Sequence, residues 1–265
     1  MVFCSSLLFG SALPALRTLG APLVSIEFSW IPWASSLRHE LSEVDLFLMA
    51  MPGDVYTAGV NALGGAPWLD VGLQRSIVPV GWFEGADVRG SANEVFLYFG
   101  SDDERIRCIA GVVGPAIEAV AVERPDLHWR FVGPSGLLPS CVEVHDAATP
   151  HPLPERWTAG AALFLCHHGM GSIGVAAGAG VPTLAFADGA IFRLRPGRDF
   201  ADREMHALEM AGVLLALHGT PTTDVVARRM RMLLRRGRRP PQGAGGALRA
   251  VQEVERVAGL SPGTS

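Results

Sequence analysis

The chain has 265 residues, of which 49% are hydrophobic and 18% are charged, and its formal net charge is -4. This composition favours a buried core over disorder, and the small net charge provides no general attraction to nucleic acid or anionic lipid. The sequence contains no lysine, which excludes both a Schiff-base lysine and a P-loop lysine.

The first 80 residues alternate short apolar runs with turns. Residues 21–28, APLVSIEF, and 44–50, VDLFLMA, predict two buried strands, with a more polar helical segment at 35–43 between them. The apolar stretch at 2–16 is broken by Ser, Gly and Pro, and no basic residue precedes it. We therefore interpret it as part of a globular fold rather than as a signal peptide or membrane span.

The four cysteines, at 4, 108, 141 and 166, are widely separated and form no C-x-x-C motif. This pattern predicts four small buried side chains in a reducing compartment. We expect a cytoplasmic protein on that basis.

The middle of the chain alternates predicted strands and helices. Residues 78–93 are punctuated by Gly and Pro and predict a connection between domains. After this connection, the pattern predicts strands at 94–100, 128–132, 141–145, 161–166 and 182–187. It predicts a helix at 106–122 and mostly helix from residue 203 onward. Such alternation predicts a parallel sheet covered on both faces, with ligands at the carboxyl ends of the strands.

Residues 166–188, CHHGMGSIGVAAGAGVPTLAFAD, concentrate five glycines between two apolar runs. A strand, a glycine-rich turn and a helix present free backbone N–H groups at the start of the helix, where the helix dipole adds positive charge. Glycines also let a ligand approach the backbone closely. The stretch therefore predicts a phosphate site, the alternative being glycines that serve only close helix–sheet packing.

Dinucleotide binding is a competing interpretation of the same stretch. Gly169, Gly171 and Gly174 match G-x-G-x-x-G, and Asp188 lies where an acid that binds ribose would stand. The helix that follows is short for that fold, and the motif comes late in the chain. These two features disfavour a dinucleotide site.

A hydrolase and a metal site are weaker alternatives. The residue pair Gly171-Ser172 fails the G-x-S-x-G pattern of a nucleophile elbow. Cys166, His167 and His168 are consecutive, and consecutive strand residues point to opposite faces, so they cannot all bind one ion.

The segment FLCHHGMGSIGVAAGAGVPTL resembles the donor-binding signature of GT-B glycosyltransferases, the nucleotide-sugar-dependent enzymes related to plant and macrolide glycosyltransferases. Upstream, EVFLYFGS resembles the first strand and the Gly-Ser turn of the C-terminal domain of that family. Downstream, DREMHA at 202–207 stands where the family has Asp-Gln-x-x-Asn-Ala. The ordered series of motifs covers about residues 94–215.

The resemblance implies a GT-B-like α/β fold in which a Rossmann-type parallel sheet forms the C-terminal domain. It places a partial N-terminal, acceptor-side α/β domain at 1–80, a linker at 81–93 and the nucleotide-sugar donor domain at 94–260. The family's usual catalytic base would precede the first residue, so no catalytic residue is assigned. The resemblance implies a transferase if that missing part is supplied, either by an in-frame extension or by a partner protein.

The resemblance also implies site residues. The nucleobase would rest on Val144, His145 and Asp146, mainly through their backbone, and the sugar on Asp202 and Arg203. The donor diphosphate would be bound by His168, Gly169, Gly171, Ser172 and Ser101. The family's ribose-binding glutamate has no counterpart in residues 175–178.

The implied reaction is the transfer of a sugar from a UDP- or dTDP-linked donor to an acceptor hydroxyl, with inversion. No metal or organic cofactor is expected, because the helix N-terminus takes the place of a cation. Two alternatives stay open: a non-catalytic or degenerate nucleotide-sugar-binding protein, and a nucleotide-sugar epimerase of the same architecture.

Residues 228–239, RRMRMLLRRGRR, form one basic amphipathic cluster. Such a cluster suits a membrane surface or nucleic acid. The acidic balance of the rest of the chain favours an ordinary exposed helix of the fold instead, with no nucleic-acid partner.

Overall fold

The computed structural model describes residues 2–4, 14–28, 44–62, 77–83, 91–146, 154–187, 198–241, 243 and 245–259. The predicted helix at 35–43 and Asp188 lie outside these residues. The chain forms two compact units, one made of Met1–Glu84 with Gly243–Ser265 and the other of Gly85–Gln242.

The described residues contain ten strands, seven numbered helices and a further helical turn at 14–17. The strands are β1 Val2–Cys4, β2 Leu23–Glu27, β3 Leu46–Met49, β4 Ile77–Pro79, β5 Glu94–Tyr98, β6 His128–Val132, β7 Val142–His145, β8 Leu163–His167, β9 Thr183–Ala187 and β10 Leu215–His218. The helices are α1 Gly53–Ala62, α2 Asp103–Glu123, α3 Pro154–Gly160, α4 Met170–Gly178, α5 Arg198–Met210, α6 Thr223–Arg236 and α7 Gly246–Val257.

The first unit contains a four-stranded parallel sheet in the order β1-β2-β3-β4. Its buried apolar cluster includes Val24, Leu48, Val80 and, from the last helix, Ala250. The helix α7 therefore belongs to the first unit, whereas the sequence-based division assigned residues 94–260 to one domain. Hydrophobic side chains of α7 alternate with charged ones, so its sequence alone does not specify the sheet against which it packs.

The second unit contains a six-stranded parallel sheet in the order β10-β9-β8-β5-β6-β7. The first strand of the unit, β5, therefore lies in the middle of the sheet. On one side of β5 lie β6 and then β7. On the other side lie β8, β9 and β10, in that order. The predicted strands of this unit are present, but the prediction of mostly helix after residue 203 is wrong at β10, a four-residue strand of apolar character.

One face of this sheet packs against α2 and α6. The helix α2 buries apolar residues at the helical spacing of 109, 113, 117 and 120, and α6 buries Met230 and Leu233 against the same core. The opposing sheet residues include Leu97, Phe131 and Leu165, all with no exposed surface. Burial of this apolar area stabilises the unit and fixes the carboxyl ends of the strands.

The cysteines are only partly as predicted. Cys166 is buried, but Cys108 and Cys141 are exposed, so the prediction of four buried cysteines is wrong for these two. Cys108 lies on the outward side of α2 because its neighbours Ile106 and Ile109 face the core. Within the described part of the chain, no helix is both long and apolar enough to cross a membrane.

Candidate functional site

The site lies where the strand order of the second unit reverses, between β5 and β8. These strands are adjacent and parallel, with Tyr98 opposite Cys166. The two turns that follow them, at 99–102 and 168–169, therefore lie side by side at the carboxyl edge of the sheet. In open parallel sheets this switch point is where ligands bind.

The turn after β8 leads directly into α4. The N–H of Gly169 donates to the carbonyl of His167 at 2.8 Å, and the first bond of the helix runs from the Ile173 N–H to the Gly169 carbonyl at 3.0 Å. The N–H groups of residues 170–172 thus have no acceptor within the helix. Gly169 is the N-cap residue and supplies no side-chain acceptor, and the first turn of α4 contains no acidic residue. The positive end of this helix is therefore uncompensated by its own residues.

The helix α2 differs in this respect. Its N-cap is Asp102, whose carboxylate accepts a hydrogen bond from the Arg105 N–H at 2.9 Å, and Asp103 and Glu104 follow in the first turn. Ser101 is exposed and precedes the cap. Its hydroxyl is therefore not needed to cap the helix.

The ring of His167 lies between the two turns. A Cβ added at Gly169 would lie 2.8 Å from its Cε1 atom, and one added at Gly100 would lie 3.0 Å from the same atom. A guanidinium nitrogen of Arg105 lies 3.2 Å from that position at Gly100, where φ is +82°. Two glycines, an imidazole and a guanidinium therefore meet at the switch point.

The environment of His167 favours the neutral imidazole. Burial, followed by the nearby charges of Arg105 and His168, lowers the pKa of His167 to about 4. Its Nδ1 atom is buried and has no hydrogen-bond partner among the described residues. At neutral pH the ring can donate or accept a hydrogen bond without carrying charge.

His168 points elsewhere, because adjacent residues at a strand end point in opposite directions. Its Nε2 atom is hydrogen-bonded to the carboxylate of Glu204 on α5, and the Glu204 side chain has no exposed surface. The sequence predicts that His168 faces the diphosphate. The structure instead brings His167 to the two turns and places His168 against a buried carboxylate.

An open cleft of about 630 Å³ adjoins the Gly100 turn on the side of β6 and β7. Its wall is formed by the turn after β5, the first helical turns of α2, the loop after β6 and the end of β7. The residues concerned are Gly100, Ser101, Asp103, Ile106, Gly133, Pro134, Ser135, Val144 and Asp146. The cleft thus contains Ser101 and two of the three residues predicted to contact a nucleobase.

The third of these residues, His145, faces the other side of the sheet. Its Nε2 lies 3.0 Å from Oε1 of Glu143, and its ring centroid lies 4.8 Å from that of Trp157. Arg130 lies over the same indole ring at 5.0 Å. The predicted contact would run through the backbone, where the His145 carbonyl already accepts a hydrogen bond from the Gly133 N–H at 3.0 Å.

The two residues predicted to bind sugar lie on α5. Asp202 is half-buried and Arg203 is exposed, and neither lines the cleft. Glu204 follows them and carries the link to His168.

Packing does not explain every glycine of the motif. A Cβ added at Gly169 would clash with His167, whereas one added at Gly171 would meet no described atom within 4 Å. Gly171 is exposed in the first turn of α4. The space that a side chain would occupy at Gly171 is therefore open.

The basic cluster 228–239 makes several contacts within the second unit. Arg231 pairs with Glu123 at 2.7 Å, and Arg239 donates to the carbonyl of Gly212. The guanidinium of Arg238 donates to three backbone carbonyls, those of Ala159 and Ala179 at 2.8 Å and that of Ala161 at 3.3 Å. These contacts agree with an ordinary helix of the fold.

Three residues of the site were missed by sequence reasoning. His167 would have been found if β8 had been extended by one residue, because alternation then separates it from His168. Arg105 is a basic residue in a first helical turn, where acids are usual. Glu204 shares a helix face with the apolar residues Ala207 and Leu208, a pattern that indicates a buried acid. No group of His, Cys, Asp and Glu suited to a metal ion occurs among the described residues.

No protein-family model matches this sequence, and no curated protein sequence matches it. Solved structures do match. The spinosyn forosaminyltransferase SpnP is 16% identical with a TM-score of 0.61, and the match covers 97% of this chain and 75% of that one. Arabidopsis thaliana UGT89C1, complexed with UDP-L-rhamnose, is 15% identical with a TM-score of 0.59, over 97% of this chain and 68% of that one.

A third match is the glycosyltransferase SnogD from Streptomyces nogalater, at 16% identity and a TM-score of 0.54, covering 96% of this chain and 72% of that one. At such identities the likeness establishes the fold alone. The predicted fold class is confirmed: the chain has a GT-B-like fold with parallel α/β sheets.

Proposed function

We propose that this protein binds a nucleotide-sugar donor and transfers its sugar to an acceptor hydroxyl. The observation that carries the proposal is the uncompensated N-terminus of α4, which lies beside His167 and Arg105 at the strand-order switch point. The fold shared with structures described as glycosyltransferases is consistent with it.

The diphosphate would lie across the two turns. The N–H groups of Gly171 and Ser172, together with the Ser172 hydroxyl, would donate to one phosphate, and Ser101 would approach from the other turn. We assign the imidazole contact with the diphosphate to His167, which lies between the turns. His168 would instead stabilise the turn through its hydrogen bond to Glu204.

This arrangement suits the chemistry of sugar transfer. When the bond between the sugar and the phosphate breaks, negative charge grows on the departing diphosphate, and donors fixed in advance around it lower the barrier. The helix dipole and the Arg105 guanidinium supply positive potential, and the neutral His167 ring supplies a hydrogen bond. An anion at this position would also favour protonation of the ring.

The rest of the donor is assigned by position. The nucleobase would lie in the 630 Å³ cleft against Val144 and Asp146, with a backbone contact at His145. Asp202 and Arg203 would contact sugar hydroxyls from α5. UDP is the first nucleotide to test, because UGT89C1 was solved with UDP-L-rhamnose, and dTDP is the second.

Isothermal titration calorimetry with UDP, dTDP and inorganic phosphate tests the binding site. We expect UDP or dTDP to bind, and His167→Ala to weaken that binding at least tenfold, the loss typical of one hydrogen bond to a charged group. His128→Ala is the matched control, because His128 is exposed at the opposite end of the sheet, at the start of β6. Absence of binding by any nucleoside diphosphate would refute the donor site.

Release of labelled sugar from a radiolabelled sugar nucleotide tests the chemistry separately. We expect slow hydrolysis of the donor, with water as the acceptor. Binding without hydrolysis would leave a nucleotide-sugar-binding protein rather than a transferase.

A further inference from the structure

We infer that the cleft beside α2 recognises the ribose of the donor, and that Asp103 is the residue that accepts hydrogen bonds from the ribose hydroxyls. This inference rests on the proposed function and narrows it, because it selects ribonucleoside diphosphates over their 2′-deoxy counterparts.

Asp103 is the acidic residue of the α2 first turn that faces the cleft. It stands three positions before Ile106, which is only 2% exposed, and residues three apart share a helix face. The preceding acid, Asp102, is occupied as the N-cap of the helix. The helix therefore presents Asp103 on the wall of the cleft, beside Ser101.

The charges around the site indicate which end of the nucleotide lies at the switch point and which end lies in the cleft. Two positive groups, the Arg105 guanidinium and the N-terminus of α4, lie at the switch point. The cleft next to it carries two carboxylates, those of Asp103 and Asp146. Carboxylates repel a diphosphate and accept hydrogen bonds from hydroxyl groups. The phosphates therefore occupy the switch point, and the hydroxyl-bearing nucleoside extends into the cleft.

The size and lining of the cleft agree with a nucleoside. Its volume of about 630 Å³ falls within the range of roughly 300–1,000 Å³ that is usual for small-molecule sites. Ile106, Pro134 and Val144 supply apolar surface for a base. Ser101 belongs to the turn at 99–102 that is proposed to bind the diphosphate, and Asp103 follows that turn directly. The ribose joins the base to the diphosphate, so a base held in the cleft and phosphates held at the switch point place the ribose hydroxyls between them, within reach of Asp103.

The test is calorimetric titration of the whole protein with UDP and with 2′-deoxy-UDP. We expect UDP to bind about tenfold more tightly, because the deoxy nucleotide lacks one of the two hydroxyls that a carboxylate can accept from. In Asp103→Asn this preference should fall to about twofold or less. In Asp146→Asn, which changes the other carboxylate of the cleft in the same way, the preference should persist.

The urea midpoint of each variant is measured alongside, and an unchanged midpoint for Asp103→Asn ensures that the loss of preference reflects binding rather than folding. Equal affinity of the wild-type protein for both nucleotides overturns the inference and leaves the proposed function intact. Loss of preference in Asp146→Asn but not in Asp103→Asn also overturns it. If Asp103→Asn weakens UDP-glucose but not UDP, the cleft holds the transferred sugar instead of the ribose. Failure of both nucleotides to bind refutes the proposed function itself.

Discussion

His168 and Glu204 are 36 positions apart in sequence, yet the Nε2 atom of His168 is hydrogen-bonded to the Glu204 carboxylate inside the second unit. The His168 side chain is 7% exposed and that of Glu204 is fully buried. The bond joins the turn that opens α4 to the middle of α5, so it holds the proposed phosphate helix through a second helix.

Replacing Glu204 should therefore destabilise the protein. Glu204→Ala leaves a buried imidazole without its partner, and we expect a loss of about 1–3 kcal/mol in the free energy of unfolding. Glu204→Gln keeps an acceptor and should cost less. Urea denaturation measures both. Asp202→Asn, two residues earlier and half-buried, is the control and should leave the midpoint unchanged. Equal midpoints for Glu204→Ala and the wild type would show that the bond contributes nothing.

Arg105 and Arg107 allow a matched test of charge at the site. Both lie on α2, but Arg105 reaches the Gly100 turn whereas Arg107 is exposed. We expect Arg105→Gln to weaken UDP binding about tenfold or more, since a charge-assisted bond to phosphate is lost. Arg107→Gln should bind UDP like the wild type. Titrations at low and high salt give a further check, because the wild-type affinity should fall more steeply with salt than that of Arg105→Gln. Equal losses in the two variants would indicate a diffuse charge effect instead.

The Gly171→Ala variant distinguishes an effect on ligand binding from an effect on packing. A Cβ at this position meets no described atom within 4 Å, so Gly171→Ala should leave stability unchanged or raise it by up to about 1 kcal/mol. In the proposed function the diphosphate approaches this turn, where the added methyl group would obstruct it, so UDP binding should weaken. Full UDP affinity in Gly171→Ala would mean that the ligand does not approach this turn.

Gly100→Ala is expected to behave in the opposite way. Its φ of +82° is strained for any other residue, and its Cβ would press on His167. We expect a loss of about 1–2 kcal/mol in the free energy of unfolding, the usual cost of a left-handed backbone with a side chain. Thermal and urea denaturation measure it, and an unchanged midpoint would contradict the close approach of His167.

The depressed pKa of His167 predicts a specific loss of stability in acid. Burial and neighbouring charge lower this pKa from 6.5 to about 4, so between these values the unfolded chain binds a proton that the folded chain does not. The stability due to the neutral ring is complete above pH 6.5 and declines as the pH falls towards 4, by about 3 kcal/mol in total. We expect the difference in unfolding free energy between the wild type and His167→Asn to shift by about that amount over this range. A constant difference would show that the ring titrates normally.

Much of the fold was predictable because the central strands of the second unit, β5, β8 and β9, are mostly apolar runs with a Gly or Pro close by in sequence. Other features were not. The prediction of a connection at 78–93 is wrong at its start, where β4 Ile77–Pro79 pairs with β3. The strand β10, LALH, follows a long helical stretch, and its three apolar residues fit either structure. The packing partner of α7 depends on contacts with residues such as Val24 and Val80, which are far away in sequence.

The site was predicted as a location but not in its detail. The Gly-Ser turn after β5 and the start of α4 meet as expected, because parallel strands place their carboxyl ends together. Whether His167 or His168 faces the two turns depends on whether β8 ends at residue 166 or 167. Strand ends are the least certain feature of a sequence-based prediction. The helical spacing indicates that Glu204 is buried, but its pairing with His168 depends on how α5 packs against the turn after β8, which no local pattern specifies.

The hydrogen bonds between Trp82 and the 243–246 segment have a consequence for the way the chain is divided. The Trp82 N–H donates to the Gly243 carbonyl at 2.9 Å, and the Gly246 N–H donates to the Trp82 carbonyl at 3.1 Å. The second unit, residues 85–242, is therefore a continuous insertion into the first unit. The segments that precede and follow this insertion are hydrogen-bonded to each other. A single excision could remove that insertion, whereas no single cut isolates the unit that hosts it, since a cut at either end would separate α7 from the sheet it covers.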